Sequence, residues 1–275
     1  MITLDYAGLS EQGPVRDNNE DFIAAHIPAD PAILAQKGCL FAIADGVGGG
    51  RAGEVASQHS AEKLAALYYG GGKSPLSALQ RAFKQTNLYI CDMGLANPAY
   101  RRMSTTLSAL ALVGGQLHIG HVGDTRIYQV RGAVAQQLTR DHSEVAELVR
   151  MQILSPEEAQ RHPRRHIITR SLGNDLMTQI DFRSEPLQAG DGFVLCTDGL
   201  WEPLAPAEIA AALQADSAAE ACQQLVALAL ERGTDDNLSV QVIKVVELPG
   251  NQPDQSARKN GFFRRTLNLI GSALV

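Results

Sequence analysis

The 275-residue sequence has no long apolar run, no closely spaced cysteine pair and no leader-like start. No window reaches the roughly 18 uninterrupted apolar residues that a membrane-spanning helix needs. The N-terminus lacks the basic flank and apolar stretch of a signal peptide. The four cysteines contain no Cys-x-x-Cys pair, and three of them lie in apolar runs, which favours buried, reduced thiols. We therefore expect a cytoplasmic protein without a membrane span.

An excess of positive charge is also missing. The chain has 24 Lys and Arg against 30 Asp and Glu, a formal net charge of -6, which argues against a nucleic-acid-binding surface. The length suffices for a well-buried core. After Val246 the composition shifts to Pro, Gly, Gln and Asn. We therefore predict one domain over residues 1–247, followed over 248–275 by a polar linker and a short amphipathic tail.

Alternating apolar runs separated by two-residue turns predict an antiparallel meander over about 106–138, with turns at Gly114-Gly115 and Arg131-Gly132. Strand-like runs cover about 2–7, 20–25, 39–44, 106–113, 116–122, 125–130, 133–138, 178–183, 192–197 and 238–246. Helical patterns cover about 52–68, 75–94, 206–214 and 217–232, and a capping box starts another helix at Ser155. Clustered hairpins with helices between and after them indicate an antiparallel sheet in an α+β protein.

A glycine-rich turn follows the strand that ends at Asp45, in the stretch FAIADGVGGGRAGEVAS. Gly48, Gly50 and Gly53 match G-x-G-x-x-G, but the dinucleotide motif also needs an acidic residue after a second strand about 20 residues on. That region reads GGGKSPLSAL and contains no strand and no acid. A Walker-type loop is excluded because no Gly-Lys-Ser/Thr follows the glycines. The sequence therefore disfavours nucleotide binding and an NAD-dependent oxidoreductase.

Aspartates stand at the ends of several apolar strands. They are Asp45, Asp124, Asp198 and the pair Asp235-Asp236. A single Asp at such a place is usually turn chemistry, but apolar strands pack together, so these ends can converge. Converging carboxylates repel one another unless a cation lies among them. Neither His nor Cys accompanies them in ligand spacing, so an all-oxygen site for Mg²⁺ or Mn²⁺ is favoured over zinc.

Arg16 lies in the acidic stretch GPVRDNNEDF, four residues before Glu20 and five before Asp21. It is either part of a solvated turn or a guanidinium held beside the metal cluster to grip a phosphate. Two hard cations with such an arginine suit phosphate-ester hydrolysis, because the ions lower the pKa of water and neutralise the reacting oxygens.

Seven short segments carry a family resemblance. They are RDNNED, DGVGG, STTLSAL, VGDTRIY, LTRDHS, TDGLWE and GTDDNLSV. Their order and spacing over about residues 2–246 resemble the metal-dependent protein phosphatases of the PP2C (PPM) type, especially the bacterial branch. The resemblance implies a four-layer α/β/β/α sandwich with two central antiparallel sheets. It also implies hydrolysis of phosphoserine and phosphothreonine in proteins by a metal-bridging water or hydroxide, with Mn²⁺ or Mg²⁺ and without a covalent phosphoenzyme.

The resemblance also assigns the ligands of two ions and, as in many members, a third. Asp45 matches the carboxylate that bridges two ions, and Gly46 offers its carbonyl to one of them. Asp198 and Asp236 match the remaining direct ligands of the other ion. The predicted catalytic set is Arg16, Asp45, Asp198 and Asp236. The predicted metal set is Glu20, Asp45, Gly46, Asp124, Asp198 and Asp236.

Within these sets, Glu20 matches the acid that holds the second ion partly through water, and Arg16 matches the arginine that grips the phosphate. Asp124 matches a ligand of the third ion, and Asp198 would also bind that third ion. Two positions depart from the family pattern. Val47 stands where animal members often have a histidine that is a candidate general acid. Glu202 stands where the family often has Asp, so binding of a third ion is in question.

Residues 144–173, hereafter the flap, match the segment beside the family's active site and are rich in arginine. They are interpreted either as a solvated helix or as a mobile basic lid that attracts anionic phosphopeptides. His142 is interpreted as a structural hydrogen-bonder or as an alternative acid, and residues 103–106 as packing. We expect phosphorylated protein substrates, a cognate serine/threonine kinase and a monomer. The alternative is a catalytically weak, phosphoprotein-binding regulatory module, against which the intact carboxylate set argues.

Overall fold

The computed structural model describes residues 2–47, 52–72 and 74–248. Strands and helices alternate irregularly along these residues, as the clustered hairpins predict. The strands are β1 (Thr3–Glu11), β2 (Asp21–His26), β3 (Cys39–Val47), β4 (Ser104–Thr105), β5 (Leu107–Val113), β6 (Gln116–Val122), β7 (Arg126–Arg131), β8 (Val134–Gln137), β9 (Asp181–Pro186), β10 (Gly192–Cys196) and β11 (Leu238–Glu247).

Side-chain caps start several of the α-helices. The α-helices are α1 (Pro31–Lys37), α2 (Gly53–Tyr69), α3 (Pro75–Ala96), α4 (Glu144–Arg150), α5 (Pro156–Gln160), α6 (Asp198–Trp201), α7 (Pro206–Ala212) and α8 (Ala218–Glu231). In α3 and α5 a serine, Ser74 or Ser155, caps the first turn and proline occupies the next position. Proline suits that position because its missing N–H would have no partner inside the helix.

Two antiparallel sheets form the centre of the molecule. The first sheet has the order β1-β11-β10-β7-β8, and the second has the order β2-β3-β5-β6-β9 with β4 paired to β3. Two-residue turns at Gly114-Gly115 and Gly132-Ala133 connect β5 to β6 and β7 to β8 in the predicted meander. The second turn lies one residue later than predicted, because Arg131 still belongs to β7 and pairs with Val134. The chain passes repeatedly from one sheet to the other, so neither sheet is a continuous segment.

The inner faces of the two sheets pack against each other. Phe41 of the second sheet and Phe193 of the first are fully buried in this layer, together with Ile43, Leu195 and Ile243. Complete burial of each such side chain stabilises the fold by about 1.5–3 kcal/mol. Strand β3 is apolar at nearly every position because alternate side chains face the other sheet and the helices.

Helices cover both outer faces. On the second sheet, Leu64 of α2 and Phe83 of α3 pack against Ala42 of β3. On the first sheet, Leu225 of α8 and Ile209 of α7 pack in one buried cluster with the outer side chains of β10 and β11. The result is helix, sheet, sheet, helix, which confirms the predicted four-layer α+β sandwich with two central antiparallel sheets.

Several details differ from the sequence-based elements. The strand expected over 178–183 begins later, at Asp181, since Thr178 is held in a turn by its bond to the Asp175 carbonyl. The short helices α1, α4 and α6 were not predicted as separate elements. The tail predicted over 248–275 lies outside the described residues apart from Leu248. Within the described residues, no helix is both long and apolar enough to cross a membrane.

Candidate active site

Acidic residues from both sheets meet at one end of the sandwich. Asp45 lies near the end of β3, opposite Asp21 on β2. Asp198 follows β10 and opens α6, while Asp236 lies just before β11. The order of the strands places β2 beside β3 and β10 beside β11, so segments far apart in sequence contribute to one cleft.

Electrostatic coupling among these carboxyl groups shows their proximity. Burial, followed by repulsion from Asp21 and Asp198, raises the pKa of Asp45 well above its usual value. Burial, followed by repulsion from Asp124 and Asp236, raises the pKa of Asp198 in the same way. Asp45 and Asp198 are still partly accessible, so a cation can reach both.

Two threonines hold the backbone of Asp45. The Thr106 hydroxyl accepts a hydrogen bond from the Asp45 amide at 2.9 Å, and the Thr105 hydroxyl donates to the Asp45 carbonyl at 2.7 Å. The Thr106 amide donates to the same carbonyl at 2.9 Å. The interpretation of residues 103–106 as packing alone was therefore incomplete, because Thr105 and Thr106 fix the strand end that carries Asp45.

Glycines next to Asp45 allow close packing around Glu20. A Cβ on Gly46 would lie 2.4 Å from the carbonyl carbon of Gly53, and a Cβ on Gly53 would lie 2.5 Å from Glu20 Oε2. The Gly46 amide donates to the Glu20 carbonyl at 3.0 Å. The backbone contact excludes a side chain at Gly46, whereas a side chain at Gly53 would displace the Glu20 carboxylate. The hydrogen bond places the Gly46 backbone beside the predicted acid.

Arg16 approaches the cluster from the N-terminal loop. Its Nη2 lies 2.5 Å from Asp236 Oδ2. Burial alone lowers the pKa of Arg16, but the hydrogen bond and attraction from Asp236, with attraction from Asp198 and Asp45, raise it overall. The guanidinium thus supplies a fixed positive charge at the edge of the carboxylates.

Asn237 ties this N-terminal loop to β11. Its side-chain amide donates to the carbonyls of Gln12 and Asn18, at 2.7 and 2.8 Å, and its oxygen accepts from the Glu20 amide at 2.9 Å. One side chain therefore satisfies three backbone groups around Arg16 and Glu20. The segment GTDDNLSV contains this asparagine, but sequence alone does not reveal its partners.

Unsatisfied buried oxygens indicate where a cation fits. One oxygen of Asp21 accepts from the Thr197 hydroxyl at 2.8 Å, whereas its other oxygen has no hydrogen-bond partner. Asp124 also has a buried oxygen without a partner. Burial is the main cause that raises the pKa of each of these two carboxyls to about 7. Crowded, under-satisfied carboxylates with oxygen donors only fit Mg²⁺ or Mn²⁺.

Three potential metal ligands, one of them on the flap, lie close together. In the described part of the chain, one potential ligand atom from each of His166, Asp198 and Glu202 lies within 4.8 Å of the others. Asp45 and Asp236 are not part of that group. Glu202, the position that departs from the family pattern, therefore lies close enough to Asp198 to share a ligand. The structure brings the exposed His166, one of the basic residues of the flap, to the same place.

The flap is connected to the Asp124 loop through His142. Its Nδ1 accepts from the Gly123 amide at 3.1 Å, and its own backbone amide donates to the Gly123 carbonyl at 2.7 Å. The His142 carbonyl accepts from the Thr169 amide at 2.7 Å, and Nε2 lies 3.3 Å from Asp181. These contacts match the structural interpretation of His142, since both ring nitrogens already have partners.

The match to known families follows the same segments. The family model for Protein phosphatase 2C matches residues 18–239. The chain belongs to the protein phosphatase 2C family. The matched range includes Glu20, Asp45, Asp124, Asp198 and Asp236.

The relatives of this PP2C chain are bacterial phosphatases. The serine/threonine protein phosphatase PstP of Mycobacterium tuberculosis is 38% identical over 248 residues, which cover 90% of this chain and 46% of PstP. The protein phosphatase PhpP of Streptococcus pneumoniae is 33% identical over 249 residues, covering 89% of this chain and 98% of PhpP. The chain thus spans about half the length of PstP and nearly all of PhpP.

A solved structure gives the same assignment. The catalytic domain of the serine/threonine phosphatase PstP in complex with two manganese ions superposes with a TM-score of 0.76 at 35% identity, covering 90% of this chain and all of that domain. The family and the fold predicted from the sequence are therefore confirmed. The roles of the individual PP2C site residues, including Arg16 and Glu20, stay predictions.

Proposed function

We propose that this chain is a metal-dependent protein serine/threonine phosphatase. The observation that carries the proposal is the crowding of Asp45, Asp198 and Asp236 beside Arg16 at one end of a PP2C sandwich. Mutual repulsion raises the pKa of buried carboxyls, so the arrangement needs positive charge to be stable. A phosphate ester needs that same charge to be bound and hydrolysed.

The residues for the ions are those expected from the family. Asp198 and Asp236 would hold one ion of a pair, the Gly46 carbonyl and Glu20 would hold the other, and Asp45 would serve both. Asp124 and Asp198 would hold a third. When bound, Mn²⁺ or Mg²⁺ supplies a water of lowered pKa and neutralises charge on the phosphoryl oxygens.

Arg16 would position the phosphate. Its planar guanidinium has two parallel N–H donors, which match two phosphoryl oxygens. Asp236 now holds one end of this side chain at 2.5 Å, so the guanidinium is oriented before substrate arrives. The Val47 side chain has no ionisable group. Both ring nitrogens of His142 already have partners, in Gly123 and Asp181, so neither residue is assigned as the general acid.

The proposal extends to the cellular setting. Substrates would be proteins phosphorylated on serine or threonine by a cognate kinase, whose effect this enzyme reverses. A cytoplasmic location suits the four cysteines, all buried and free. A monomer that does not bind nucleic acid stays our expectation.

Phosphate release tests the proposal. The chain should hydrolyse p-nitrophenyl phosphate and a phosphothreonine peptide with Mn²⁺, and EDTA should abolish both reactions. Asp45→Asn and Asp198→Asn should each lower kcat/KM by at least about 100-fold, the scale of losing a charge-stabilising group. Asp216→Asn, an exposed position, is the matched control.

The outcomes separate an enzyme from a binding module. If the wild type and both site variants release phosphate at the same rate with Mn²⁺ present, the cluster is not catalytic. If the chain binds the phosphopeptide but releases no phosphate, it is the regulatory module instead. Repeating the assay with Mg²⁺ alone shows which ion supports the higher rate.

A further inference from the structure

A groove of about 990 Å³ opens beside the acidic cleft. The cleft itself is a cavity of about 370 Å³ lined by Asp198 and Asp236. The groove lies between the flap helices α4 and α5 on one side and residues 201–206 on the other. Both cavities are lined by Gln160, Arg165, Glu202, Pro203 and Arg232. A polypeptide with its phosphorylated residue in the cleft can therefore continue into the groove.

The groove has apolar walls. Val145 and Val149 of α4 face it from the flap, and Leu204 and Pro206 face it from the opposite side. Trp201 lies at its inner end, with the Arg126 guanidinium stacked 3.3 Å from the ring centroid. Apolar walls with a few charged groups are typical of a binding site for another molecule.

Most charges in the groove are already paired. Arg126 holds Asp141 through two nitrogens, at 3.0 and 2.6 Å. Arg232 pairs with Glu208 outside the groove. Glu202 faces Arg165, whose Nε lies 3.8 Å from its Oε2.

Two exposed positive charges and one buried carboxyl, that of Asp124, remain. Arg140 and Arg161 line the groove and are exposed, and neither forms an ion pair with a carboxylate of the described residues. In the sequence, Arg140 precedes α4 and Arg161 directly follows α5. The groove therefore has a net positive charge beside a cleft that is acidic.

We propose that this groove binds the polypeptide that flanks the phosphorylated residue, and that Arg140 and Arg161 select acidic side chains there. The inference rests on the proposed phosphatase function and names its preferred substrate class. Acidic side chains of the substrate would provide the carboxylate partners that the two arginines lack among the described residues. Apolar side chains between the acids would contact Val149 and Leu204.

Peptide hydrolysis tests the inference. Three phosphothreonine peptides are compared, with glutamates on the N-terminal side, with glutamates on the C-terminal side, or with glutamines at the same positions. We expect kcat/KM for one of the acidic peptides to exceed that for the neutral peptide by about threefold to tenfold, the range for two exposed ion pairs. The preference should decrease as NaCl is raised, because salt screens exposed charges.

The double variant Arg140→Gln/Arg161→Gln should lose this preference. Arg150→Gln is the matched control, since Arg150 is an exposed flap arginine that does not line the groove. Hydrolysis of p-nitrophenyl phosphate, which has no flanking peptide, normalises each preparation for active protein.

Equal rates on the three peptides would overturn the inference, as would a preference that the double variant keeps or that Arg150→Gln also loses. These results all presuppose hydrolysis of p-nitrophenyl phosphate. If that reaction is absent with Mn²⁺, the proposed function itself fails, which is a distinct result.

Discussion

Two stacked histidines lie beneath the Asp124 loop. The rings of His121 and His142 are 4.8 Å apart. His121 is buried, with Nδ1 2.8 Å from the Ser108 hydroxyl and Nε2 2.9 Å from the Arg140 carbonyl. Burial and then repulsion from His142 lower the pKa of His121 to about 4, although Asp141 and Asp181 act in the opposite direction.

This histidine should make the fold sensitive to acid. Its pKa is lower in the folded protein than the usual 6.5, so its contribution is complete above about pH 6.5 and is lost as the pH falls toward about 4. Between about pH 7 and about pH 5 the free energy of unfolding should fall by about 2 kcal/mol through His121. Urea unfolding of metal-free protein at the two pH values measures the change.

The variant His121→Asn should show a smaller decrease with pH, whatever its stability at neutral pH. The site carboxyls also titrate, but they do so in both proteins and cancel in the comparison. His162→Asn, on the flap, is the control and should keep the wild-type pH dependence. An identical pH slope for wild type and His121→Asn would contradict the prediction.

At the residue scale, the sequence indicates the charged residues of the candidate site better than it indicates the residues that hold them in place. Asp45 and Asp198 could be predicted because each ends an apolar strand and precedes glycine. Thr106 and Asn237 could not, because a hydroxyl or an amide has many possible partners until the strands are placed. Their bonds to Asp45 and Glu20 depend on tertiary contacts between distant segments.

At the scale of elements, exposed charge pairs hold flap residues 164–166 beside the cleft. Arg165 and His166 both face Glu202, at 3.8 and 3.4 Å, just after α6. Arg164 pairs with Glu144 within the flap at 2.7 Å. Such exposed pairs are each worth only about 0.2–1 kcal/mol. These pairs therefore hold residues 164–166 only weakly.

Removing the charge of Glu202 should increase opening of the flap. In Glu202→Gln, without metal, amide hydrogen exchange over residues 161–168 should become about two- to fivefold faster, since the ion pair to Arg165 is lost and the contact with His166 is weakened. Glu157→Gln, an exposed change on α5, should leave exchange as in the wild type. Unchanged exchange in Glu202→Gln would show that other contacts hold the flap.

Elements with a clear periodicity, cap or turn signal were predictable, whereas short helices without one were not. The capping box of Ser155 and Glu158 was visible in the sequence and starts α5 as expected. Helix α6 has four residues, too few to show a helical period. Helix α4 has seven and buries only Val145 completely, so its apolar stripe is weak.

At the scale of the whole molecule, the fold brings together acids that repel one another. Asp45 is on β3 and Asp198 follows β10, so the two sheets must pack for the two groups to meet. The hydrophobic layer that contains Phe41 and Phe193 provides the free energy for this packing. Repulsion among these acids should therefore lower the free energy of unfolding of the metal-free protein.

Metal removal and neutralisation of Asp45 should reveal this cost. In EDTA, Asp45→Asn should melt about 2–8 °C above the wild type, the shift that about 1–2 kcal/mol produces in a domain of this size. Adding Mn²⁺ should raise the melting temperature of the wild type, because only the folded site binds the ion. The variant should respond weakly.

Differential scanning fluorimetry with and without Mn²⁺ provides the measurement, with Asp216→Asn as the control that should follow the wild type. An Asp45→Asn protein that melts lower in EDTA and gains as much from Mn²⁺ would refute the electrostatic account.

The pairing of β1 with β11 has a consequence for anything joined to this domain. Strand β11 begins two residues after Asp236 and runs to Glu247, which lies opposite Thr3. Ten residues of strand span about 33 Å. A segment joined at Thr3 or at Glu247 therefore leaves the sheet at the end of β11 that lies away from Asp236.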